Sequence, residues 1–178
     1  MVRDRWRSSV SSHTQVRARA HEPPSFPCTF YICMLTLYRL ANKNWLKVAD
    51  LSAITEKHDY YKSIEIFERV AQKSISSNLM RYSVKEYLLK AGLCHLATGD
   101  IISAQRALEK YRDIDPSFAT TREHQLLVDL TEAIEAGDAD KFSEKLFQYD
   151  QMSKLDKWKT AVLLQIKSKI EEADNEFS

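Results

Sequence analysis

Residues 99–111 read GDIISAQRALEKY, and residues 137–149 read GDADKFSEKLFQY. Both segments begin with Gly-Asp, carry Leu and Tyr at matching positions, and space their apolar residues three and four apart, as a helix does. A looser match that begins at Asp59 extends the series backward. Repeats of this length correspond to a pair of antiparallel helices, which cannot bury its apolar face alone. The sequence therefore predicts stacked helical hairpins whose function depends on surfaces rather than on a pocket.

Helical periodicity continues through the rest of the chain from Lys47 onward. No segment shows the two-residue alternation of a half-buried strand, and no Asn-Gly or Asp-Gly turn occurs. Gly137 is placed to end a helix in the left-handed conformation. The fold class is therefore predicted to be all-α. The predicted hairpins pair residues 60–74 with 79–97, 101–111 with 120–136, and 139–150 with 156–172, and residues 41–56 resemble one half of a further hairpin.

Composition limits the classes of function. The chain has 178 residues, 44% of them hydrophobic, and a net charge of +1, which fits one ordinary domain. Positive charge is concentrated in residues 1–46, so the remainder is acidic and nucleic-acid binding by the folded part is disfavoured. With only three glycines and no phosphate-binding or nucleophile motif, the sequence predicts a protein that is not an enzyme.

Cysteine and histidine spacing predicts neither a metal site nor a cofactor. The three cysteines form no C-x-x-C pair, which favours a reducing, intracellular environment. Cys94 and His95 are adjacent, but neighbouring side chains on a helix diverge by about 100°. Cys94 is therefore expected to be a packing residue.

The N-terminal region differs in character from the rest. Residues 1–46 are predicted to form a disordered or atypical head, and residues 47–178 the truncated helical-repeat domain. The apolar run 26–40 is too short and interrupted to cross a membrane. Three interpretations of the head remain open: a transit peptide, a signal peptide, or a foreign or alternative start joined to a truncated domain.

Several blocks resemble one known family in the same order along the chain. The blocks read YKSIEIFE at 61–68, NLMRYSVK at 78–85, AGLCH at 91–95, YD at 149–150, LDKW at 155–158 and LLQIK at 163–167. Over roughly residues 47–178 the sequence resembles the C-terminal half of the soluble NSF attachment proteins, alpha type. The resemblance implies a tetratricopeptide-like, right-handed α-solenoid of stacked hairpins that ends in a small C-terminal helical bundle.

The resemblance also implies a function. Proteins of this family are adaptors that coat a SNARE four-helix bundle with their concave face and recruit the ATPase NSF, which pulls the bundle apart. SNARE bundles are acidic, so basic residues suit that surface, whereas an acidic tail suits NSF. The implied SNARE-binding residues are Leu79, Lys85 and Arg122, and the implied NSF-binding residues are Asp100, Glu132, Glu135, Asp174, Glu176 and Phe177.

Departures from the family pattern leave alternatives open. The N-terminal half of the family, with its hydrophobic membrane-contacting loop, has no counterpart here, so weakened SNARE and membrane engagement is expected. The implied location is cytoplasmic and peripheral on endomembranes. A helical-repeat scaffold that binds peptides without NSF is the alternative function, and deletion of residues 171–178 would leave such a scaffold unaffected. A third interpretation is a splice or annotation product that folds poorly, because truncation exposes an apolar face.

Overall fold

A computed structural model describes residues 28–55, 58–76 and 81–176 of the chain. These residues form α-helices joined by short connections and contain no strand, as the sequence predicted. The predicted helical stack is confirmed. Its elements are α1 (Cys28–Ile54), α2 (Tyr60–Ile75), α3 (Arg81–Thr98), α4 (Ile101–Ile114), a 3-10 turn (Pro116–Thr120), α5 (Arg122–Ala136), α6 (Ala139–Met152) and α7 (Lys157–Glu176).

The repeated Gly-Asp pair forms the turn between consecutive hairpins. Gly99 and Gly137 have φ of 86° and 68°, a left-handed conformation that is strained for residues with a Cβ atom. Asp100 and Asp138 then cap α4 and α6, and their carboxylates accept hydrogen bonds from the backbone N–H of Ser103 and Lys141 at 3.1 and 2.8 Å. The repeat therefore encodes one helix end and the next helix start.

A continuous apolar core lies between the helices. Successive helices run antiparallel, and α2 packs against α3, α3 against α4, and α5 against α6. The largest fully buried side chains share these interfaces and come from every helix between α2 and α7. They include Phe67, Leu88, Leu93, Tyr111, Phe118, Leu127, Leu130, Phe142 and Val162.

The last helix leaves the regular stack. The sequence predicts that α7 forms a hairpin with α6, but α7 packs chiefly against α3 and also contacts α1. Trp158 of α7 donates a hydrogen bond to the carbonyl oxygen of Asp50 in α1 at 2.9 Å, and Lys169 donates one to the carbonyl oxygen of Ala97 in α3 at 2.6 Å. Helix α7 therefore folds back onto α3 and α1 in the N-terminal part of the described stack.

Helix α1 crosses the predicted boundary between residues 46 and 47 without interruption. Residues 1–27 lie outside the described residues, so the division into a head and a repeat domain stays a prediction. In the described part of the chain, α1 packs against α2 and α7. No helix there is both long enough and apolar enough to cross a bilayer.

Candidate functional site

The directions of the helices define two ends of the stack. Lys85 in α3 lies 3.3 Å from Glu123 in α5, and Lys159 in α7 lies 3.4 Å from Glu86 in α3. The starts of α3, α5 and α7 therefore meet at one end of the stack, which we call the Arg122 end. The starts of α4 and α6 and the ends of α3, α5 and α7 meet at the other, which we call the Asp100 end. The 18 residues of α3 separate the two ends by about 27 Å.

Two of the predicted SNARE-binding residues lie together at the Arg122 end. Arg122 is exposed in the first turn of α5, and Lys85 is half-buried in the second turn of α3. Lys85 pairs with Glu123, whereas Arg122 takes part in no ion pair among the described residues. Of Arg122 and Lys85, Arg122 is therefore the more available to an acidic partner.

Two grooves that share Tyr149 as a lining residue lie beside these two cations. A groove of about 240 Å³ runs from Lys85 to the start of α7, and one of about 170 Å³ extends from Arg122 along α6. Tyr149 is buried and lines both. Sequence reasoning predicted Tyr149 as a core position and as part of a family block, and apart from Lys85 and Arg122 it assigned no binding role to the lining residues. Those that could contact a ligand include Tyr82, Glu86, Gln125, Lys145, Lys154 and Lys159.

The predicted NSF-binding residues of α4 and α5 lie at or near the Asp100 end. Asp100 is exposed and precedes α4, and Glu132 and Glu135 are exposed in the last turns of α5. None of the three forms an ion pair within the described residues. The two glutamates line a groove of about 390 Å³ between α4 and α5, together with Arg112 and His124. Burial, and then the charge of Arg112, lowers the pKa of His124, so its imidazole adds no positive charge to this groove at neutral pH.

The remaining predicted residues are only partly described. Asp174 and Glu176 belong to the last turns of α7, which point to the Asp100 end, and their side chains are not described. Leu79 and Phe177 lie outside the described residues. Glu171 and Glu172 precede them on α7 and are exposed, so acidic residues from two separate helices, α5 and α7, come to one end.

The interior between the two ends offers packing rather than reactive groups. Cys94 is fully buried, and burial followed by the charge of Asp50 raises the pKa of its thiol to about 12. The prediction that Cys94 is a packing residue is confirmed. No group of three or more potential metal ligands occurs within residues 28–55, 58–76 and 81–176.

Comparisons with known proteins agree on one family. The family model described as "Soluble NSF attachment protein, SNAP" matches residues 36–171. A Neurospora crassa protein named "Probable vesicular-fusion protein sec17 homolog" is 62% identical over 139 residues, which cover 78% of this chain and 47% of that protein. The Schizosaccharomyces pombe protein of the same name is 55% identical over 139 residues, with coverage of 78% and 47%.

A relative from Homo sapiens, "Alpha-soluble NSF attachment protein", is 41% identical over 131 residues, which cover 74% of this chain and 43% of that protein. The chain thus spans about half the length of the curated relatives it matches. The family match begins inside α1 and continues almost to the end of α7, so it includes both ends of the stack. The chain belongs to the soluble NSF attachment protein family.

Proposed function

We propose that this chain is an adaptor in vesicle trafficking that links a SNARE four-helix bundle to the ATPase NSF and so promotes disassembly of the bundle. The observation that carries the proposal is the separation of the predicted residues toward two ends of the stack: along α5, Arg122 lies about 15 Å from Glu132 and about 20 Å from Glu135. An adaptor needs two surfaces that two partners can occupy together. ATP hydrolysis belongs to NSF, and this chain contributes binding surfaces only.

Charge supports the assignment of the two partners. Arg122 and Lys85 suit the acidic surface of a SNARE bundle, and Glu132 and Glu135 suit a basic domain of NSF. Exposed ion pairs contribute only about 0.2 to 1 kcal/mol each. Binding by a single chain is therefore weak, and several adaptor copies on one SNARE bundle raise the overall affinity.

The same proposal gives the location and the extent of activity. An adaptor that works on SNARE bundles is peripheral on endomembranes, with its surfaces in the cytoplasm. The chain aligns with about half of each relative, so we propose that NSF binding is retained while SNARE and membrane engagement are weaker than in the full-length relatives.

Co-sedimentation with NSF tests the proposal directly. The chain is incubated with NSF at low salt, with and without an assembled SNARE bundle, and ATPase activity is measured in parallel. We expect binding and stimulation that fall when residues 171–178 are deleted and when Phe177 is replaced by Ala. Absence of NSF binding by the unmodified chain at low salt would falsify the proposal.

The same deletion separates the adaptor from the peptide-binding scaffold. A scaffold that captures peptides in its grooves has no use for the acidic tail, so its binding would survive loss of residues 171–178. An adaptor would lose ATPase stimulation while its SNARE binding, located at the Arg122 end, stayed unchanged.

A further inference from the structure

Cations in the grooves at the Arg122 end are largely paired with carboxylates of the same chain. Besides the two grooves that share Tyr149, a third groove of about 380 Å³ lies between the start of α3 and the 3-10 turn. Four of the cations that line these grooves have an acidic neighbour. The pairs are Arg81–Asp115 at 3.9 Å, Lys85–Glu123 at 3.3 Å, Lys145–Asp129 at 3.4 Å and Lys159–Glu86 at 3.4 Å. An acidic partner at this end therefore meets cations that already have counterions.

The pair of Lys85 and Glu123 is the one that contains a predicted SNARE-binding residue. Lys85 Nζ and Glu123 Oε1 are 3.3 Å apart, and the two side chains are 38% and 16% exposed. Glu123 lies in the first turn of α5, where the N-terminus of the helix attracts negative charge. The Glu123 carboxylate is therefore held in place, whereas the more exposed ammonium group of Lys85 is free to exchange partners.

Tyr82 gives the Lys85 ammonium group a second contact. Lys85 Nζ lies 5.3 Å from the centroid of the Tyr82 ring, within the range of a cation–π contact. Tyr82 is 84% exposed, and Tyr82, Lys85 and Glu123 all line the groove of about 240 Å³. A lysine ammonium group has three donors, so it can contact the ring and a carboxylate together. A carboxylate that enters this groove therefore approaches Lys85 beside Glu123.

We propose that Glu123 competes with the carboxylates of an acidic partner for Lys85 and so lowers the affinity of the Arg122 end for that partner. This role of Glu123 rests on the proposed function, in which the Arg122 end binds a SNARE bundle. Like charges repel, so the Glu123 carboxylate opposes a second carboxylate at the same lysine. Because ion pairs of partly exposed side chains are weak, the partner can displace Glu123, and its release restores the internal pair. Glu123 thus favours dissociation of the partner.

Titration of an assembled SNARE bundle with the chain gives the first test. Glu123→Gln removes the charge and keeps the size of the side chain, so the fold is expected to stay the same, which thermal unfolding checks. At about 50 mM salt the variant should bind the bundle about two- to fivefold more tightly than the unmodified chain. The gain should shrink as salt is raised to about 300 mM. Weaker binding by the variant means that Glu123 orients Lys85 for the partner, which would overturn the proposal.

Glu65→Gln is the matched control for net charge. Glu65 is exposed in the second turn of α2 and pairs with Arg69 four residues along the same helix. Because successive helices run antiparallel, the first turns of α2 lie toward the Asp100 end. The control removes the same charge as Glu123→Gln and should leave binding of the SNARE bundle unchanged. An equal gain for the two variants would mean that net charge, and not competition at Lys85, sets the affinity.

A double variant tests whether Glu123 acts through Lys85. Lys85→Gln alone should weaken binding of the bundle. In the Lys85→Gln background, Glu123→Gln should give little or no further gain, because the lysine for which the two carboxylates compete is absent. A gain of full size in this background would contradict competition for Lys85.

Binding of NSF and of the SNARE bundle by the unmodified chain separates failure of this proposal from failure of the proposed function. Glu123→Gln should leave NSF binding unchanged, because the predicted NSF-binding residues lie toward the Asp100 end. If neither the unmodified chain nor Glu123→Gln binds the bundle, the proposed function is wrong and the role of Glu123 with it. If both bind the bundle with the same affinity, the role of Glu123 alone is wrong.

Discussion

The carboxylate of Glu68 joins three helices within the stack. Its oxygens accept hydrogen bonds from Lys110 Nζ at 2.5 Å and from the Tyr111 hydroxyl at 3.1 Å, and His95 Nε2 lies 3.8 Å away. Burial alone would raise the pKa of Glu68. The nearby His95 ring, the hydrogen bonds from Lys110 and Tyr111 and the charge of Lys110 together more than offset burial and lower this pKa to about 2. The ionised form therefore stabilises the contact between α2, α3 and α4.

We expect Glu68→Gln to lower the free energy of unfolding by about 1 to 3 kcal/mol at pH 7, because Lys110 and Tyr111 lose their charged acceptor. The stabilisation is complete above the unfolded-state pKa of about 4.5 and is lost as the pH falls toward about 2. Urea unfolding between pH 7 and pH 3 measures the difference between variant and unmodified chain, which should narrow over that window. Glu65→Gln, at an exposed position on the same helix, is the control and should change stability by less than about 0.5 kcal/mol.

Gly92 allows α5 to approach α3 closely. A Cβ atom at this position would lie 2.6 Å from Cδ1 and 2.8 Å from Cδ2 of Leu127, which is itself fully buried. Gly92→Ala should therefore destabilise the chain by about 1 to 3 kcal/mol, despite the better helix propensity of Ala. Thermal unfolding measures the loss, and Leu127→Val should recover part of it in the double variant. Independent, additive effects of the two changes would argue against this close contact.

Helix α7 is the element that ties the C-terminal end of the stack to α1. The Trp158 ring lies edge-to-face on Phe67 with centroids 5.8 Å apart, and Lys90 Nζ lies 4.8 Å from its centroid. Its hydrogen bond to Asp50 adds a link to α1. Repeat periodicity pairs α7 with α6 and gives no indication of this cluster, because the cluster combines residues from four separate helices.

Trp158→Ala is expected to destabilise the chain by about 3 to 5 kcal/mol, because it leaves a cavity between α1, α2 and α3. For a chain of this size the melting temperature should fall by about 6 to 20 °C. Differential scanning calorimetry measures the shift. Leu164→Ala, at an exposed position on the same helix, should leave the melting temperature within about 2 °C of the unmodified value. Similar shifts for the two variants would mean that α7 docks through a different face.

Across the whole molecule, the two ends should act independently, since Arg122 lies about 15 to 20 Å from Glu132 and Glu135 along α5, which exceeds the Debye length of about 8 Å at physiological salt. We expect Arg122→Glu to reduce binding of a SNARE bundle severalfold without changing NSF binding. The double variant Glu132→Lys and Glu135→Lys should reduce NSF binding severalfold without changing binding of a SNARE bundle. Pull-down of each partner at several salt concentrations measures both effects.

Charge reversals at exposed residues outside the predicted SNARE-binding and NSF-binding residues provide the controls. Arg106→Glu on α4 and Glu144→Lys on α6 change exposed residues by the same amount of charge. Neither should affect binding of either partner. If these controls reduce binding as much as the end variants do, net charge rather than position governs recognition.

The sequence alone determined the all-α class, the hairpin repeat and the helix ends, because these depend on local periodicity and on capping by Gly99, Asp100, Gly137 and Asp138. It also determined the family, through blocks spread along the chain. The tertiary structure decided which helix covers each apolar face. Periodicity shows which face of a helix is apolar but not which helix packs against that face. The docking of α7 on α3, the Glu68 contacts and the separation of the two ends therefore appear only when the helices pack. The same packing leaves Leu37, Leu40 and Leu51 of α1 exposed within the described residues, which their apolar character alone does not predict.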